Sequence, residues 1–307
     1  MATGLAGGIV PAVITPFRED ERIDYSAWQD HLDFLISSGV HGLFVLGGQG
    51  EFFALTEEER SVAARFCAQA VARRLPVYAN VGAVTTAETI RLAQKAEADG
   101  VDYLVVVTPY YLRPSADELV EHYVAVCASV QIPVFAYNIP ERTGVELTPE
   151  VLRRVVERCP NFAGLKDSGG RVELIPEWRR AGLQVFMGRD HLILDGLRMG
   201  AAGAVTACAN VIPRAFVDLY QAYQSGDLDE AGRLQRLVEP LRQAFSLGTF
   251  PVVVKEAMNL AGLRGGRCRR PVGSLTEEAR KKLHAVLETL REARYLPLAG
   301  AAAGRSR

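Results

Sequence analysis

The sequence predicts an α/β fold, a (β/α)8 TIM barrel followed by a C-terminal helical extension. Three observations carry this. Eight short apolar runs rich in Val, Ile, Phe and Tyr recur along the chain, and their starts lie 32, 34, 27, 30, 29, 21 and 20 residues apart, the length of one strand–helix unit. The runs are nearly continuous in apolar residues rather than alternating, which suits parallel strands covered on both faces. Amphipathic segments fill every gap between them, and eight such pairs in succession are the pattern of a closed barrel. A doubly wound sheet is the alternative, but it rarely alternates through eight strands without interruption.

The expected strands are 10–17, 42–48, 76–82, 103–109, 133–140, 162–169, 183–190 and 203–210. Helix starts are marked between them. Thr56-Glu57-Glu58-Glu59, Thr85-Thr86-Ala87-Glu88 and Ser115-Ala116-Asp117-Glu118 read as capping boxes, in which the hydroxyl and the later Glu each satisfy a free backbone N–H. Thr148 before Pro149 is an N-cap with proline at the first helical position. Gly39 and Gly100 stand where a helix ends in a left-handed residue. Three longer amphipathic segments, 228–245, 251–263 and 276–292, follow the eighth run. The expected division is a barrel over 1–225, a helical extension over 226–297 packed on it without a Pro/Ser-rich linker, and a flexible tail over 298–307.

Composition narrows the function. With 307 residues, 49% of them hydrophobic, the chain can bury a large core, which excludes disordered, collagen-like and disulfide-rich classes. A net charge of −1 gives no general attraction to nucleic acid or an anionic membrane. Five cysteines without CxxC spacing offer neither a disulfide framework nor a structural zinc site. The N-terminus has no basic region and meets Pro11 and Pro16 early, and no apolar stretch reaches the roughly 18 residues of a membrane span. These features lead us to expect a cytoplasmic protein that acts on a small molecule, with no nucleic-acid or membrane partner.

Barrel chemistry sits at the C-terminal ends of strands. Those ends carry Gly47-Gly48-Gln49-Gly50-Glu51, Thr108-Pro109-Tyr110-Tyr111, Tyr137-Asn138 with Arg142 beyond, Lys166-Asp167-Ser168, and Thr206-Ala207-Cys208-Ala209-Asn210. Lys166 is the sharpest feature. Only five residues are Lys against thirty Arg, and this one lies in the apolar strand Phe162-Ala163-Gly164-Leu165-Lys166. Keeping a lysine of ordinary pKa neutral at pH 7 costs roughly 4.6 kcal/mol, so burial must lower that pKa. A neutral lysine is a nucleophile that forms Schiff bases with ketones. The structural alternative is an ion pair with Asp167 or a neighbouring carboxylate. Lys255, beside Glu256 in the extension, reads as an ordinary Lys–Glu pair.

Tyr137 precedes Lys166 by one strand–helix unit, so the two belong on adjacent strands at one mouth, where a phenol can pass protons. The glycine-rich loop at Gly48 and Gln49 can offer backbone N–H groups to a carboxylate, or can be simply a tight turn. Arg142 can fork onto a second carboxylate, or sit in a surface salt bridge. The five histidines are scattered with no HExxH spacing, so no metal is called for. Ser168 lacks the GxSxG context of a serine hydrolase.

Together these residues resemble the dihydrodipicolinate synthase/N-acetylneuraminate lyase family of class I, pyruvate-handling aldolases. The likeness spans about residues 7–287 and rests on five ordered motifs: the 47–51 loop, Thr108-Pro109-Tyr110-Tyr111, Tyr137-Asn138-Ile139-Pro140, Gly164-Leu165-Lys166-Asp167, and Gly188 after the seventh strand. It implies a homotetramer of tight dimers needing no cofactor. Lys166 matches the Schiff-base lysine, Tyr137 the relay tyrosine, and Tyr111 the tyrosine that crosses the tight-dimer interface. Gly48, Gln49, Arg142, Gly188 and Val205 are the implied substrate-binding residues.

Two departures bear on the substrate. Gly48 stands where the synthases carry a relay threonine, and Gly48-Gln49-Gly50-Glu51-Phe52 resembles the branch acting on 2-keto-3-deoxy sugar acids. The stretch from Tyr137 to Gly144 resembles the synthases instead. Val84 and Glu57 replace polar residues of the lysine-inhibited synthases, which implies no feedback by lysine. The expected activity is a Schiff-base lyase of pyruvate or a 2-keto acid, first of all an aldolase or dehydratase of 2-keto-3-deoxy sugar acids. Condensation of pyruvate with aspartate semialdehyde, a non-catalytic keto-acid-binding barrel and a metal-dependent aldolase remain as alternatives.

Overall fold

The computed structural model describes residues 7–296. Eight parallel strands, β1 (Gly8–Pro11), β2 (Leu43–Val45), β3 (Val77–Asn80), β4 (Tyr103–Val107), β5 (Val134–Asn138), β6 (Phe162–Asp167), β7 (Gln184–Met187) and β8 (Gly203–Thr206), form one sheet in the order β1-β8-β7-β6-β5-β4-β3-β2. A bridge between Ala12 and Phe44, with the Val13 N–H donating to the Phe44 carbonyl at 2.8 Å, joins β1 to β2 and closes the barrel.

Every strand overlaps its expected run, but each hydrogen-bonded ladder is shorter than the apolar stretch. The first strand differs most. It spans Gly8–Pro11 rather than 10–17, because Pro11 and Pro16 have no N–H to donate to a ladder. Val13, Ile14 and Phe17 stay buried as a loop folded into the barrel mouth. Apolar runs here mark burial, and only their centres mark strand.

The helices are α1 (Tyr25–Ser37), α2 (Glu57–Val71), α3 (Thr86–Ala98), α4 (Ala116–Ala128), α5 (Pro140–Thr143), α6 (Pro149–Arg158), α7 (Ile175–Arg180), α8 (Ile193–Arg198), α9 (Pro213–Gln224), α10 (Leu228–Gln243), α11 (Val252–Leu260) and α12 (Glu277–Glu292). The shortness of α7 and α8 explains the 21- and 20-residue spacings. Thr56 and Ser115 head complete capping boxes. Thr85 accepts from the Glu88 N–H at 3.2 Å, but no return bond from the Glu88 side chain is present, so only half of that expected box forms. Thr148 caps α6 through the Val151 N–H, and Gly39 and Gly100 adopt φ of 80° and 87°.

The extension, α10 to α12, packs on the barrel. Gln235 of α10 is buried and donates to the Asp190 carbonyl at 3.0 Å while accepting from the Leu194 N–H at 3.1 Å, which ties α10 to the mouth of β7. The tail expected at 298–307 lies outside the described residues. Among the described residues no helix is long and apolar enough to cross a membrane.

Candidate active site

Strand register brings the two leading residues together. β5 pairs with β6 so that Tyr137 stands opposite Lys166 and Asn138 opposite Asp167. The Lys166 Nζ lies 3.6 Å from the Tyr137 ring centroid and 4.2 Å from that of Phe44. Beneath it the barrel is filled by Tyr78, Phe135 and Phe186, whose centroids are 5.6–6.1 Å apart. This apolar floor pushes the Lys166 pKa well below its usual 10.5, with the Asp190 carboxylate acting in the opposite sense.

Asp167 does not pair with Lys166. Neighbouring residues on a strand point to opposite faces, and Asp167 accepts instead from the Asn138 amide at 2.8 Å and from the Gly169 and Gly170 N–H groups at 3.1 and 3.0 Å. Lys255 is different again. It is buried, ion-paired with Glu51, and donates to the Arg267 carbonyl at 2.7 Å. Its partner is therefore Glu51 and not the expected Glu256, and the pair holds the 47–51 loop from behind.

A cavity of about 330 Å3 opens above Lys166, a size suited to a small molecule. Tyr137, Gly48, Gln49, Arg142, Gly188 and Val205 share its wall with Lys166. Burial raises the Tyr137 pKa to about 12, while a hydrogen bond with the Ser168 hydroxyl and the charges of Arg142 and Arg189 act to lower it. The Ser168 hydroxyl also reaches the Gly188 carbonyl at 3.4 Å. A Cβ at Gly188 would collide with that hydroxyl, so glycine there makes room for it. Gln49 is buried, and its amide oxygen has no hydrogen-bond partner in the protein.

Comparison with known proteins agrees with this geometry. The model of the dihydrodipicolinate synthetase family matches residues 5–290. The chain belongs to that family. It is 36% identical over 286 residues to a 4-hydroxy-tetrahydrodipicolinate synthase of Archaeoglobus fulgidus, covering 92% of this chain and 98% of the relative. It is 39% identical over 290 residues to an uncharacterized DapA-like lyase of Halobacterium salinarum, covering 92% and 93%. Among solved structures, dihydrodipicolinate synthase from Aquifex aeolicus superposes with a TM-score of 0.89 at 32% identity, over 96% of this chain and 100% of that one. YagE, a prophage protein of the same family from E. coli K12 solved with pyruvate, gives 0.90 at 33%, over 94% and 99%. Membership makes the chain an enzyme with the lyase chemistry of class I aldolases, in a family that takes pyruvate.

Within this family frame, Gly48 looks different from its sequence reading. Gly48 lacks the relay hydroxyl, and a Cβ there would stand 3.0 Å from the Phe250 ring and 4.0 Å from the Tyr137 hydroxyl. The Phe250 ring occupies that place, and the Arg142 guanidinium lies 3.9 Å from the ring's centroid. Arg142 thus rests on an aromatic ring, not in a surface salt bridge. Tyr111 is fully exposed with a φ of 75° and stands outside the cavity of its own chain.

Ser168, noted in the sequence only at the end of the sixth strand, also lines the cavity, as do Asp190, Arg189, Arg242 and Phe250, which were not anticipated as site residues. Asp190 could have been found as an acid closing an apolar strand run. Arg242 and Phe250 come from the extension, and nothing local in their sequence marks them as reaching the mouth.

Proposed function

We propose that the chain condenses pyruvate with aspartate semialdehyde, as a 4-hydroxy-tetrahydrodipicolinate synthase. The observation that carries the reading is a buried, unpaired Lys166 stacked against Tyr137 beneath a small-molecule cavity. The neutral Nζ adds to the keto carbon of pyruvate, the carbonyl oxygen takes up protons and leaves as water, and an iminium remains. Loss of a methyl proton gives the enamine, whose carbon attacks the aldehyde. Tyr137, kept protonated by its raised pKa, hands protons to the departing oxygen, and Ser168 is the next hydroxyl in line where position 48 supplies none. Backbone N–H groups at Gly48 and Gln49 hold the pyruvate carboxylate, and Arg142 faces the aldehyde partner.

The archaeal relatives, named 4-hydroxy-tetrahydrodipicolinate synthases, support the semialdehyde over a 2-keto-3-deoxy sugar acid. Phe250 supports it as well, since a phenyl ring beside Gly48 offers a polyhydroxylated tail no hydrogen bond. The missing hydroxyl at position 48 favours the sugar-acid reading, in which the substrate itself supplies it. In the same proposal the working form is a cytoplasmic homotetramer of tight dimers, with Tyr111 reaching the neighbouring subunit. Comparing kcat/KM for semialdehyde condensation with that for 2-keto-3-deoxy acid cleavage or dehydration tests the choice. A tenfold preference for the semialdehyde is expected, and a tenfold preference the other way would reverse it.

A further inference from the structure

Gly47 opens the glycine-rich loop but does not line the cavity. A ring accounts for it instead. A Cβ at Gly47 would stand 2.3 Å from the edge of Phe44, so glycine there leaves room for that ring at the end of the barrel interior. Phe44 is buried and stands perpendicular to Tyr137, with the planes at 90° and the centroids 6.0 Å apart. The Lys166 Nζ sits in the corner between them, 4.2 Å from the Phe44 centroid and 3.6 Å from that of Tyr137. Among the described residues no hydrogen bond or ion pair holds it.

Two ring faces attract a cation and offer a neutral amine little. Burial nevertheless outweighs the rings and the Asp190 carboxylate, and drives the resting amine toward its neutral form. The charges on the cavity wall lean the same way. Arg142, Arg189 and Arg242 stand there against Asp190 and a Glu141 already paired with Arg189. Schiff-base formation then creates a cation at the same atom: the neutral amine and a ketone take up one proton, lose water and leave an iminium. The proton has to stay, because the charged nitrogen is what draws electrons from the neighbouring carbon. An imine nitrogen is a weaker base than the amine it replaces, so surroundings that strip the amine would strip the imine more readily still. The cation needs support at this stage, and the groups in contact with the nitrogen are the two rings.

We propose that the face of Phe44, seated by Gly47, forms with the ring of Tyr137 a binding site for the iminium cation, which keeps the Schiff-base nitrogen protonated. The proposal rests on the Schiff-base reading of Lys166. It gives Tyr137 two parts, a hydroxyl for protons and a face for charge, whereas Phe44 has the face alone. Because the resting amine is neutral, the rings favour the intermediate over the free enzyme, which is the kind of binding that accelerates a reaction.

The test replaces Phe44 in the full-length protein by phenylalanines carrying one, two and three ring fluorines, and separately by leucine (Phe44→Leu). Fluorine drains the face of negative charge and hardly alters its shape, so the fold is kept along the series. Adduct formation on Lys166 under cyanoborohydride is followed against pyruvate concentration and pH. The half-saturating pyruvate concentration should rise stepwise with fluorine, by about tenfold at the third, and in Phe44→Leu at least as far. The alkaline limit of adduct formation should move to lower pH along the series, since a less supported iminium loses its proton sooner. A series without a trend would overturn the proposal. So would a flat series beside a weakened Phe44→Leu, which would make Phe44 a packing residue. The wild type separates the two layers: no adduct removes the Schiff-base reading and the iminium site with it, whereas an adduct formed equally well by every protein removes the iminium site alone.

Discussion

Lys166 and Lys255 are two buried lysines of one chain, 5% and 1% exposed, and burial lowers the pKa of both. Lys255 is the more enclosed, yet its Nζ has a carboxylate, Glu51, and a carbonyl, Arg267, as partners. Among the described residues Lys166 has no hydrogen bond or ion pair; its Nζ lies against two ring faces and it lines a cavity. A buried amine with a carboxylate is held as a cation and acts as a fastener. A buried amine without one is driven toward its neutral form, which carries the lone pair a nucleophile needs. Burial alone therefore does not make a nucleophile; the absence of a partner does.

The sharpest way to break this contrast is at the group beside Lys166. Tyr137→Phe removes one hydroxyl and almost no volume, so the fold should persist while kcat falls by roughly 10²–10⁴ with little change in KM. Steady-state kinetics would return Tyr137 to a packing role if kcat held.

Next in size is the fastener. Glu51→Gln leaves the buried Lys255 amine without its carboxylate, so that it either stays charged unpaired or gives up its proton, which should cost about 3–5 kcal/mol in denaturant unfolding. Pairing it with Lys255→Met should recover much of that loss. If the single variant unfolds like wild type, Glu51 and Lys255 are not the strut described.

Ser168→Ala sharpens the proton path. Its hydrogen bond lowers the Tyr137 pKa, so its removal should raise that pKa further and cut kcat by about tenfold. The alkaline limb of the kcat profile should move to higher pH, and a profile that stays in place would take Ser168 out of the relay.

The smallest effect is on stability. Above pH 10.5 Lys166 is neutral both folded and unfolded; as pH falls, the unfolded chain takes up the proton first, so stability is lost until the lower folded pKa is reached. Lys166→Met should therefore raise Tm near pH 7 by several degrees, with the gap closing as pH approaches 10.5. A gap independent of pH would mean that the lysine is not neutralised by folding.

The two lysines also show what was legible in the sequence. Lys166 and Tyr137 could be read because one strand–helix unit of spacing puts them on neighbouring strands, and the barrel fold follows from eight such units. The partner of Lys255 could not, because adjacency pointed to Glu256 while the fold supplied Glu51 from 204 residues away. Phe250 and Arg242 were hidden for the same reason: they reach the mouth through the tertiary packing of α10 and the turn before α11. Gly48 was legible as a missing hydroxyl but not as a place filled by that distant ring.

The most direct measurement is to incubate the chain with pyruvate, reduce with borohydride, digest, and map the added mass by peptide sequencing. One reduced pyruvate on Lys166, none on Lys255, and none anywhere in Lys166→Ala is the result that the contrast between the two lysines requires. An adduct on Lys255, or an unmodified wild-type chain, would contradict it.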